Sequence, residues 1–470
     1  MPQASRVARQ MSGRPLGHLG SGRLIPLAVL VAVTAVYVVY ATWQWNAFYV
    51  KSWDLAIFTQ MYQGYASGNP PIVPIKGDGF NLLGDHFHPL LIVFTPVFAL
   101  FPHPATLLVI QALCFGVAAG LVAWCARRRI GPLAATFCGL AFGLSWGLQY
   151  AAEAQFHEIA LAVPLLTAAL VAILERRWWW ACGLAALLPF VKEDLGLTTA
   201  AVGVVAALLG RRKQGLALAL WGMVWFVLAV LVILPAVNTG GEWAYGRYLA
   251  SGSDAGDATE LWQPEKVLTI VLLLVATAGF VMRSPLSLVL LPTLAWRFLS
   301  SNEAYWGPDW HYSAVLMPVA FLAAVDGISR AKDSTSVWES WWARLGPAML
   351  AVGCAVILVT KPTPLLEMQK AGWSADAPQA AGVQETLAMI PPGSTVESDI
   401  ALMNYVVGPH VVYWIGHENP TPEFVLIGPG GGAPQEWGDA LGVATVRYPE
   451  SDYDLIASRN GYSLARLRAG

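Results

Sequence analysis

Charge is what this chain lacks. Of its 470 residues only 12% are Asp, Glu, Lys or Arg while 56% are hydrophobic, against about 25% charged in soluble domains. That excludes a soluble globular protein. Apolar runs near twenty residues recur, which excludes the alternating pattern of an outer-membrane barrel and calls for helical spans. There is no basic stripe, so nucleic acid is not an expected partner. The five cysteines, Cys114, Cys125, Cys138, Cys182 and Cys354, lie in or beside apolar runs with no CxxC or disulfide spacing, and read as packing residues. Neither thiolate sets nor HExxH spacing appear, which argues against a zinc centre. The glycine-rich GPGGGAP at 428–434 lacks the lysine and the helix of a phosphate loop, and no internal repeat is visible.

What is present is a sorted chain. Residues 1–23 are polar and basic, and read as a disordered segment. Arg6, Arg9, Arg14 and Arg23 precede the first apolar run, so the positive-inside rule places the N-terminus in the cytoplasm. The run at 24–43 is too long for a signal-peptide core and reads as an uncleaved span. The outer loop 44–104 then carries Asp54–Ala66, whose apolar residues at spacings of three and four predict a helix lying on the membrane surface. Residues 89–101 are apolar but short and interrupted by PHP, so they read as re-entrant or interfacial. With that segment set aside, Arg127–Arg129, Glu175–Arg177, Arg211–Lys213, Arg283 and Arg330/Lys332 all fall on the cytoplasmic side of about eleven spans. The expected fold is therefore an all-α polytopic membrane protein over 24–361, followed by a small extracytoplasmic α/β domain over 362–470. In that domain STVESD, HVVYWI, EFVLIG, ATVRYP and GYSLARLR read as β-like runs.

Under this topology the outer face collects the ionisable side chains. Asp54 follows the first span and could act as a general base or simply open its helix electrostatically. GDHFHP brings Asp85, His86 and His88 within four residues, enough to help bind a phosphate or a divalent ion, or to form a turn. Asp85, His86, His157 and Glu158 are the candidates for a divalent metal ion. His157-Glu158 opens a returning span and Lys192-Glu193-Asp194 closes an outgoing one. Lys192 and Arg297 suit a lipid-linked phosphate, though Arg297 could equally snorkel. Trp310 and His311 could line a sugar site, or Trp310 could anchor at the interface. Ionisable groups at span ends pair, meet water or act on substrate.

The segments WDLAIFTQ, GDHFHPLLIVFTPVFALFPHPATLLVIQA, FHE, KED and HYSAVLMP cover most of 52–318. In them the chain resembles a family of predicted polytopic membrane proteins known only as a domain of unknown function. That family in turn resembles the GT-C superfamily of polyprenyl-phosphate-sugar-dependent glycosyltransferases. The resemblance implies a GT-C-like fold in an inner membrane, with a catalytic acid just after the first span, the position of Asp54. It also implies a polyprenyl-phosphate-sugar donor and a cell-envelope glycan, lipid or protein as acceptor. The chain departs from the superfamily's paired acids, because Leu55 follows Asp54. A supporting acid would then come from Asp85, Glu158 or Glu193, with His86, His88, His157, Lys192, Asp194, Arg297, Trp310 and His311 holding the substrates. The alternative function is a transporter or flippase of a lipid-linked or small polar substrate. Transporters place ionisable groups deep in their spans and often show repeats, whereas these candidates sit at outer ends.

Overall fold

The computed structural model describes residues 23–250, 262–371 and 378–468. Five helices among them are long and apolar enough to cross a membrane: α1 (Ile25–Asn46), α3 (Pro104–Arg129), α9 (Arg212–Val237), the His311–Lys332 segment containing α12 (Leu316–Lys332), and α13 (Val337–Thr360). The intervening elements are α2 (Asp54–Ala66), α4 (Pro132–Gly143), α5 (Trp146–Glu153), α6 (Ile159–Leu174), α7 (Trp178–Ala185), α8 (Leu195–Leu208), α10 (Pro264–Ala276) and α11 (Leu291–Leu299). Several spans expected from the sequence are thus shorter or interrupted. Residues 131–150 break between α4 and α5, where Ser145 adopts an extended backbone. In α9 the ladder widens to a π turn at Ala229–Ile233 just before Pro235, which has no N–H to donate. The apolar Pro89–Leu100 segment is a 3₁₀ turn followed by one short helix, too short to span.

α12 is the buried centre of the helical body, while α1 and α9 are largely exposed on their outer faces. α8 and α9 pack backbone against backbone. Gly196 faces Gly222 and Gly203 faces Gly215, and a Cβ at Gly215 would lie 2.4 Å from the Gly203 carbonyl oxygen. These glycines let the two backbones touch, as small residues do at membrane helix interfaces.

Beyond α13 the chain forms a five-stranded sheet of order β2-β1-β3-β5-β4. β1 (Thr395–Ser398) runs parallel to β2 (Val411–Trp414) and β3 (Phe424–Ile427); β5 (Tyr462–Leu467) is antiparallel to β3 and to β4 (Tyr453–Arg459). The ATVRYP run expected to be β-like is instead the end of a helix, α14 (Ala440–Arg447). Asp439 starts it by accepting from the Leu441 and Gly442 N–H groups. The strand lies further on, in YDLIASR.

α2 is a helix, as its periodicity predicts, but not an open surface helix. Every residue from Leu55 to Tyr62 is buried, because the C-terminal domain packs on it. Gln60 Nε2 donates to the Val412 carbonyl at 2.9 Å, and Gln63 Nε2 to the Val407 and Gly408 carbonyls at 2.8 Å each.

Candidate functional site

The first residue of α2 is Asp54, and its carboxylate opens into a cavity of about 440 Å³. Two neighbours hold that carboxylate. The Ser52 hydroxyl donates to Oδ2, and His157 Nε2 lies 3.2 Å from the same oxygen. His157 comes from the turn between α5 and α6, where Gln155 takes a left-handed backbone (φ 69°). The other ring nitrogen of His157, Nδ1, lies 3.1 Å from the Gln155 carbonyl. A carbonyl and a carboxylate both only accept, so both imidazole nitrogens must donate and the ring is an imidazolium. Burial opposes the charge on each partner, but each offsets it for the other: Asp54 sits below the ordinary carboxylate range and His157 above its usual value. Asp54 is therefore ionised at neutral pH. The His157 ring stacks on His311 with centroids 3.7 Å apart.

A second set of pairs lines the same cavity. Lys192 Nζ meets Glu158 Oε1 at 2.7 Å, and His86 Nδ1 meets Glu193 Oε1 at 2.7 Å. Glu193 Oε2 also accepts the Phe87 N–H at 3.0 Å, and Tyr245 stacks on His86 with centroids 4.3 Å apart. Burial opposes protonation of His86, but Glu193 outweighs it and the pKa is raised. His88, by contrast, is lowered to about 4 by burial and is neutral at physiological pH. Lys76 pairs with Asp85 at 3.2 Å and lies over the Trp53 ring; Lys51 pairs with Glu153 and lies over Trp310. Asp194 is half-buried, with Oδ1 out of solvent and unpartnered, and desolvation raises its pKa.

Eleven of the residues singled out in the sequence thus face one cavity: Asp54, Asp85, His86, His88, His157, Glu158, Lys192, Glu193, Asp194, Trp310 and His311. Arg297 does not. It is wholly buried, and its guanidinium donates to the Tyr305 and Gly307 carbonyls at 2.7 Å and to Ser313 Oγ at 3.1 Å. Arg297 shapes the wall that carries Tyr305 and Tyr312, with its guanidinium turned to that backbone and to Ser313 and not to the cavity. The proposed metal candidates do not form one ligand set either. Asp85 is committed to Lys76, His86 to Glu193, Glu158 to Lys192, and His157 to Asp54 and a carbonyl. Among the described residues no group of three His, Cys, Asp or Glu side chains is placed to hold a metal ion.

Sequence reasoning missed Lys51, Ser52 and Lys76, which lie within the first outer loop, and Trp243 and Tyr245 from the loop after α9. It also missed Asn404, which is wholly buried in the C-terminal domain. Asn404 Oδ1 accepts the Ala56 N–H of the first turn of α2 at 2.9 Å. Its amide nitrogen donates to the Ser52 carbonyl at 3.1 Å and to Gln155 Oε1 at 2.7 Å. One side chain therefore ties together the start of α2 and the residues that carry both partners of Asp54.

The chain has the GT-C glycosyltransferase fold: it superposes on ArnT from Cupriavidus metallidurans bound to undecaprenyl phosphate with a TM-score of 0.56, and on the apo form of that protein with 0.53. Each match is 14% identical and covers 93% of this chain and 97% of the other. No curated protein matches the chain by sequence. The DUF2079 family of predicted membrane proteins matches residues 45–464, and the chain belongs to it.

Proposed function

We propose that this protein is a membrane glycosyltransferase that moves a sugar from a polyprenyl-phosphate donor to a cell-envelope acceptor. The observation that carries the proposal is Asp54, an ionised carboxylate fixed by Ser52 and His157 at the wall of a cavity where lysines, histidines and aromatic rings sit beside further, largely paired acids. The fold is that of a protein whose crystal structure holds undecaprenyl phosphate. Asp54 takes the proton of an acceptor hydroxyl, the acceptor oxygen bonds to the anomeric carbon, and the bond from that carbon to the phosphate oxygen breaks. The polyprenyl phosphate leaves as an anion. Lys51, Lys76, Lys192 and protonated His86 are the cations near enough to stabilise it, in place of Arg297. Glu153, Asp85, Glu158 and Glu193 hold those cations in position, while Trp310 and Tyr245 offer ring faces to a sugar.

The orientation that fits this reading puts the cavity on the extracytoplasmic side of an inner membrane. The arginine clusters at 127–129, 175–177 and 211–213 lie at the other ends of the helices that bound it. The test is turnover of radiolabelled polyprenyl-phosphate sugars by purified protein, wild type beside Asp54→Asn. The variant should fold and insert but lose transfer, or donor hydrolysis, by about 10²–10⁴-fold. Equal turnover in the two proteins removes Asp54 from the mechanism. Binding without turnover in both would favour a lipid-linked-substrate transporter.

A further inference from the structure

The end of the helical body opposite the cavity carries a second built feature. α6 starts beside Glu158 at the cavity and ends at Glu175; its 16 residues set the two ends roughly 24 Å apart. There α1, α3, α6 and α7 bound an open apolar groove of about 430 Å³, lined by Leu27, Leu30, Val117 and Leu121 and closed at one end by Arg177 and Trp180. A shallow depression of about 450 Å³ adjoins it and shares Arg177 and Trp180; Arg176 and Arg211 complete its rim. The two features are continuous, one apolar and one cationic.

The cations are uncommitted. Glu175, the acid next to them, is taken by Arg128 at 3.1 Å, and among the described residues Arg176, Arg177 and Arg211 have no carboxylate partner. The Arg211 guanidinium lies 5.4 Å from the Trp178 ring centroid, which keeps it turned toward the depression. Arg176 occupies the left-handed position (φ 58°) that ends α6, where glycine is the inexpensive choice. An arginine is held there at a backbone cost. Trp179 and Trp180 are 79% and 68% exposed, the amphipathic rings suited to headgroup depth.

We propose that this groove and rim bind an anionic phospholipid, with an acyl chain against Leu27, Leu30 and Leu121 and the phosphodiester on Arg176, Arg177 and Arg211. Guanidinium groups bind phosphate oxygens in bidentate fashion, and basic pockets between membrane helices select anionic headgroups. The occupant is a lipid and not a free anion, because the cationic rim opens directly onto an apolar trough that only a chain can fill.

The test is native mass spectrometry of the full-length purified protein with phosphatidylglycerol and phosphatidylcholine of identical acyl chains. Wild type should retain phosphatidylglycerol at least about tenfold more than phosphatidylcholine. The triple variant R176Q/R177Q/R211Q should lose that preference while keeping its unfolding temperature. Leu27→Trp, which fills the exposed trough, should lower retention of both lipids. Equal retention of the two lipids by wild type, or a preference that survives in the triple variant, overturns the proposal. So does displacement of the lipid by inorganic phosphate at matched concentration, which would make the rim a free-anion site. None of these readouts depends on glycosyl transfer.

Discussion

At the scale of single residues, the site is a set of paired charges whose protonation states are fixed by their partners. Asp54 is depressed and His86 and His157 are raised, which gives a definite pH signature. A depressed carboxylate stays ionised down through its ordinary titration range, so loss of the base should not limit turnover between about pH 5 and pH 7. A raised histidine is fully charged below its ordinary pKa of about 6.5 and discharges only as pH climbs through its higher folded value. His86 then ceases to neutralise Glu193, which on the proposed function leaves a less compensated negative charge where the donor phosphate would sit. The Michaelis constant for donor should therefore rise on the alkaline side while kcat holds on the acid side. His86→Gln should give a weak donor affinity that no longer changes across that alkaline step. A donor affinity in the variant that follows pH as in wild type would remove His86 from phosphate binding.

At the scale of elements, the wall formed by α8 depends on how closely it can approach α9. Gly215→Ala puts a methyl group 2.4 Å from the Gly203 carbonyl oxygen and 2.5 Å from the Ala207 nitrogen, and both atoms are backbone. The helices must separate, and overpacking of this kind costs about 1–3 kcal/mol, so the unfolding midpoint should fall. Gly183→Ala in α7 meets nothing within 4 Å and should leave the midpoint unchanged or raise it slightly, alanine being the better helix former. A Gly215→Ala protein as stable as wild type would show that the helix pair can relax. The helices themselves were legible because apolar runs of spanning length have few alternatives. Their interruptions were less so: the break at Ser145 and the π turn before Pro235 are single-residue events inside apolar runs. ATVRYP misled because its alternation of apolar and polar residues is as short as α14 itself, and only the Asp439 cap distinguishes the two.

At the scale of the whole molecule, the C-terminal domain is part of the site's support. Asn404→Leu leaves the Ala56 N–H with only the Trp53 carbonyl at 3.1 Å and removes the donor from both the Ser52 carbonyl and Gln155 Oε1. Each buried group left unpaired costs about 1–3 kcal/mol. The variant should lose about tenfold or more in kcat with donor affinity retained, and should release its C-terminal domain to protease more readily. Asn404→Asp keeps the acceptor toward Ala56 but neither donation, and should fall between the two; a variant with wild-type kcat would make Asn404 a packing residue only. The cavity's acids and histidines could be read from the sequence because the order of apolar runs sorts them to one end of the helices. Arg297 could not be assigned, since a lone arginine at a helix end looks the same whether it meets lipid phosphate, water or, as here, backbone carbonyls. Asn404 left no trace, because it acts 348 residues away from the N–H it caps. That separation gives the chain a timetable. Asp54 emerges among the first segments to be synthesised, and Asn404, the amide that steadies its surroundings, among the last. Until the tail has been made and has docked, a half-made or truncated copy lacks the Asn404 contacts to Ser52, Ala56 and Gln155, so the surroundings of Asp54 are completed last.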